Sequence, residues 1–118
     1  KNALEVMSPV CQHYKRLVTS LIPHLIKAVY LNKDTHDYMR FFEIARIWNG
    51  YDSSEKQAIA GIFYAPNEID FYQAKAYLET LFTMLNCTVS WQMAQQLSDP
   101  WYLQGKTAMI MYQDQCIG

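Results

Sequence analysis

Between Asp70 and Cys87 the sequence carries every signal an amphipathic helix needs. Asp70 is an acid at a capping position, and Gln73 follows three residues later, the spacing of a capping box. Phe71, Ala74, Leu78, Leu81, Phe82 and Leu85 then recur at helical spacing and make one face apolar. Asn86-Cys87 closes the helix.

The first half of the chain reads in the same way. A helix is predicted from Ser20 to Asn32. Ser20 can cap it, and Pro23 is tolerated because the first turn needs no amide donors. Leu21, Ile22, Leu25, Ile26 and Val29 form its apolar face. Arg40 to Trp48 alternates, which predicts a strand that buries Phe42, Ile44 and Ile47/Trp48, with Glu43 and Arg46 between them. Asn49-Gly50 is a turn signal. Gln57 to Tyr64 follows as a strand apolar on both faces, as a central strand would be. Ala65-Pro66-Asn67 breaks the chain before the second helix. Short strands are predicted at 88–93, 107–112 and 115–117, with loops at 2–15 and 95–104. Helices interleaved with hairpin-like strands predict an α+β fold with a largely antiparallel sheet and flanking helices.

The chain has 118 residues, of which 51% are apolar and 18% charged, so it can bury a core and is not disordered. No internal repeat or Pro/Gly/Ser-rich linker divides it, and residues 1–118 read as a single domain. Ten basic residues against eleven acidic ones leave a formal charge of −1, unlike a basic nucleic-acid module or a polybasic membrane-surface protein. No apolar run approaches the roughly 18–20 residues of a membrane span. The longest, Leu21 to Tyr30, is interrupted by Pro23, His24 and Lys27. Cys11, Cys87 and Cys116 are odd in number and widely spaced, the pattern of free thiols in a reducing cytoplasm. The chain opens at Lys1 and stops at Cys116-Ile117-Gly118, on what reads as a strand, so it is expected to be a piece of something larger.

Candidate chemistry is sparse. Cys11 and His13 could share a face of extended chain, but no third group orients them. His24 and His36, with Asp34 or Asp37, could at most form a weak metal site and read more simply as surface residues. The four glycines, Gly50, Gly61, Gly105 and Gly118, are isolated, so there is no phosphate-cradling loop. Neither a catalytic group nor a metal site is expected.

Five motifs carry a resemblance. Leu17–Ile26 followed by Arg40–Arg46 resembles the "LRTSLLPGLL … RLFEIGRV" pattern of the phenylalanyl-tRNA synthetase β-subunit family. Ile59–Phe63 is similar to its "LAGLL" strand, Asp70–Glu79 to its "DFFDLKGxVE" helix, and Gly105–Ile110 to the tail of "HPGRSAEI". Cys116-Ile117-Gly118 falls where that family has an "IG" strand. The motif positions kept are Ser20, Pro23, Arg40, Phe42, Glu43, Gly61, Asp70, Phe71, Lys75 and Gly105. Val18 and Lys106 stand where the family has Arg, while His24, Ala45 and Ala76 stand where it has Gly. Leu103-Gln104 replaces His-Pro. Together these departures suggest a divergent branch.

The resemblance implies a fold like the class II aminoacyl-tRNA synthetase core, but without catalysis. It implies that the α subunit holds the active site, in an (αβ)₂ heterotetramer that uses ATP and Mg²⁺ and meets tRNA(Phe) as a whole complex. A working class II site needs Arg-x-Glu on a strand. Arg40 and Glu43 have one residue too many between them, which puts them on opposite faces. The family's third motif is missing. Glu43 and Arg46 read either as contacts to a neighbouring subunit or as members of a solvated strand face, and Trp101 either as core or as an interface aromatic. Lys75 either reaches a carboxylate such as Glu43 or lays its stem along apolar surface. Direct tRNA stacking is disfavoured because only Lys106 is basic near the C-terminal aromatics. The alternative function is a free-standing interaction or tRNA-binding domain that reuses the synthetase fold.

Overall fold

A computed structural model describes residues 3, 5–10, 15–48, 54–67, 69–94, 99–103 and 105–118. The chain divides into two compact units, Lys1–Glu68 and Ile69–Gly118. Both mix helix with antiparallel strands, which makes the fold class α+β, with two small sheets.

The first unit contains α1 (Ile22–Asn32), β1 (Met39–Trp48) and β2 (Glu55–Tyr64). Ser20 Oγ accepts the Ile22 amide at 3.4 Å, and Pro23 falls within the first turn. The helix starts two residues later than the sequence suggests, with Leu21 in the capping position. At its far end the Asn32 side-chain amide donates to the Ala28 carbonyl at 2.8 Å, and the Lys33 amide donates to Val29 at 2.9 Å. Leu21, Leu25 and Val29 are buried, as is Met39 at the start of β1. Each such burial stabilises by roughly 1.5–3 kcal/mol.

Strands β1 and β2 form a two-stranded ladder in continuous register, from Met39↔Tyr64 to Trp48↔Glu55. The Asn49-Gly50 turn signal lies outside the described residues. Val18 lies beside the end of β1, where its carbonyl accepts the Trp48 amide at 2.8 Å. Earlier still, Glu5 and Arg16 form an antiparallel bridge, reinforced by their side-chain ion pair at 3.1 Å.

The covered face of β1 is the opposite of the expected one. Met39, Phe41, Glu43, Ala45 and Ile47 are buried or half-buried, whereas Phe42 is 75% and Ile44 55% exposed. The physical reason is the position of α1. The helix lies over the face that carries Met39 and Glu43, and the half-buried Ala45, Ala58 and Ala60 share that face. Strand β2, expected to be central, pairs only with β1 among the described residues, and its Ile59 is 60% exposed.

The second unit contains α2 (Phe71–Met84), β3 (Ser90–Met93), β4 (Ala108–Tyr112) and β5 (Gln115–Cys116). Asp70 caps α2: its carboxylate accepts the Tyr72 amide at 3.1 Å. The far end is a Schellman motif. Asn86 is left-handed at φ 54°, its amide donates to Thr83 at 3.0 Å, and the Cys87 amide donates to Phe82 at 2.8 Å. No α2 side chain is buried, so the apolar stripe read from the sequence is at best half-covered.

The second sheet has the order β3-β4-β5, all antiparallel. Tyr112 and Gln115 pair across a two-residue turn in which Gln113 (φ 48°) and Asp114 (φ 62°) are both left-handed. Beyond β5 the ladder continues: the Ile110 amide donates to Gly118 at 2.6 Å and the Ile117 amide to Ile110 at 2.9 Å. Gly105 takes φ 76° in the turn closed by the Lys106 amide on Leu103 at 3.1 Å. Among the described residues, no helix is long and apolar enough to cross a membrane.

Candidate functional site

Strand β1 carries Arg40, Phe42, Glu43 and Arg46, and it sorts them onto two faces. Glu43 is on the α1 side, where its carboxylate lies 4.0 Å from His24 Nδ1 in the first turn of the helix. Arg40, Phe42 and Arg46 are on the other face. The Arg40 guanidinium lies 5.9 Å from the Phe63 ring centroid, a cation–π geometry. Arg46 Nη1 donates to Glu55 at 2.8 Å, an exposed cross-strand ion pair. Phe42 projects between the two arginines, opposite Gly61. A methyl group at Gly61 would meet the Phe41 carbonyl at an ordinary 3.5 Å, so space there does not demand glycine.

Arg40 and Glu43 thus project from opposite faces of β1. A class II nucleotide site needs cation and carboxylate on one surface, so that they can hold the phosphates and Mg²⁺ together. Here the strand places Arg40 and Glu43 on opposite faces. Glu43 and Arg46, paired in the sequence reading as subunit contacts, are likewise on different faces.

Lys75 and Trp101 belong to the second unit. Lys75 Nζ pairs with Glu79 at 3.4 Å and stands 5.2 Å over the Trp91 ring, so it bridges α2 and β3. The carboxylate it meets is thus Glu79 of its own helix, where the sequence suggests one such as Glu43 at the sheet. Trp101 is half-buried beside Tyr102, with ring centroids 6.3 Å apart. Its indole N–H is buried with no acceptor among the described residues.

At the end of α2 an open cleft is lined by Glu79, Phe82, Thr83, Asn86, Cys87 and Thr88. The Cys87 thiol is turned back onto the Leu85 carbonyl at 3.5 Å. Among the described residues no histidine lines the cleft beside this thiol. Cys11 and His13 lie outside the described residues. His36 is exposed on the loop after α1. No group of three potential metal ligands occurs among the described residues.

Fold and site together define a small α+β protein module whose distinctive surface is a sheet face bearing arginine and phenylalanine. The particular family follows from comparison. The family model for the phenylalanyl tRNA synthetase beta chain CLM domain matches residues 1–118, and the chain belongs to that family. It is also similar to the phenylalanine–tRNA ligase beta subunit of Coxiella burnetii (strain RSA 493 / Nine Mile phase I), at 28% identity over 130 residues. That alignment covers 98% of this chain and 16% of the relative, so the chain spans about one sixth of the relative's length.

Proposed function

We propose that residues 1–118 form a non-catalytic part of a phenylalanine–tRNA ligase β subunit, built like a class II synthetase core. The module supports charging of tRNA(Phe) in the cytoplasm by assembling with a catalytic α subunit in an (αβ)₂ heterotetramer. ATP and Mg²⁺ serve the parent complex and are handled by the α subunit. The tRNA is met by the complex as a whole.

The observation that carries the non-catalytic reading is the division of Arg40 and Glu43 between opposite faces of β1. Membership of the β-chain family over the full 118 residues supports the parent complex. The large exposure of Phe42, Ile44 and Ile59 supports a role in assembly, since apolar sheet surface of this kind is usually covered. Glu43, Arg46 and Trp101 are the interface candidates, with Glu43 on the α1 side of β1 and Arg46 on its other face.

Phenylalanine-dependent pyrophosphate exchange tests the catalytic half of the reading. The chain alone, given ATP, Mg²⁺ and phenylalanine, is expected to give no exchange above buffer. Exchange that rises in proportion to the chain's concentration would overturn it.

A further inference from the structure

We draw no further inference here: the strongest candidate, the apolar patch of Phe42, Ile44 and Ile59 on the β1–β2 face away from α1, carries nothing because nothing in the structure shows what covers it.

Discussion

Arg40 and Glu43, three residues apart on β1, point to opposite sides of the strand: Arg40 lies over the Phe63 ring, and Glu43 lies beside His24 of α1. Moving either to the other face would require shifting the strand by one residue against β2. That shift would also expose Met39, one of the few buried side chains. The separation is therefore held by the packing of α1 as well as by the ladder.

Leu25 tests that packing. It is 4% exposed and sits at the centre of the α1 contact. Leu25→Ala is expected to cost about 2–5 kcal/mol, the usual range for a buried leucine. Ile59→Ala, on the open face, is expected to stay within about 0.5 kcal/mol. Urea unfolding followed by circular dichroism compares the two midpoints. Equal losses would contradict the assignment of faces.

Asp70 tests the start of α2. Its carboxylate accepts the Tyr72 amide, so Asp70→Ala is expected to lose about 0.5–2 kcal/mol, and Asp70→Asn to retain most of the stability. The same unfolding experiment reads both. A neutral alanine variant would mean that the cap contributes nothing.

This start was legible in the sequence because a cap is local chemistry, decided by Asp70 and the next three residues. So was the stop at Asn86, which takes the left-handed conformation that asparagine tolerates. The buried face of β1 was not legible. Both faces of that strand are apolar, with Phe41 and Ile47 on one and Phe42 and Ile44 on the other, so alternation alone cannot choose between them. What chooses is a helix from elsewhere in the sequence, which covers the face carrying Met39 and Glu43. The site was legible to the same extent. Spacing alone separated Arg40 from Glu43, but the pairings of Glu43 with His24 and of Lys75 with Trp91 depend on tertiary packing.

The β4–β5 turn offers a gain in stability. Gln113 and Asp114 both adopt positive φ, as a two-residue type I′ turn requires, and asparagine followed by glycine suits those positions better. The double change Gln113→Asn with Asp114→Gly is expected to stabilise by about 1 kcal/mol, chiefly by relieving left-handed strain at Gln113. Thermal unfolding measures it, and a lower midpoint would contradict the turn geometry.

Arg46 separates stability from assembly. Its ion pair with Glu55 is exposed and contributes roughly 0.2–1 kcal/mol, less at high salt. Arg46→Ala is therefore expected to leave the unfolding midpoint almost unchanged while weakening association with the α subunit. Titration calorimetry against that subunit is the check. Unaltered affinity would remove Arg46 from the interface.

Sedimentation velocity of the chain mixed with its cognate catalytic α subunit tests the proposed role most directly. The account predicts a single faster boundary containing both proteins in equal stoichiometry. Two independent boundaries, each at the rate of its isolated protein at tens of micromolar, would contradict it.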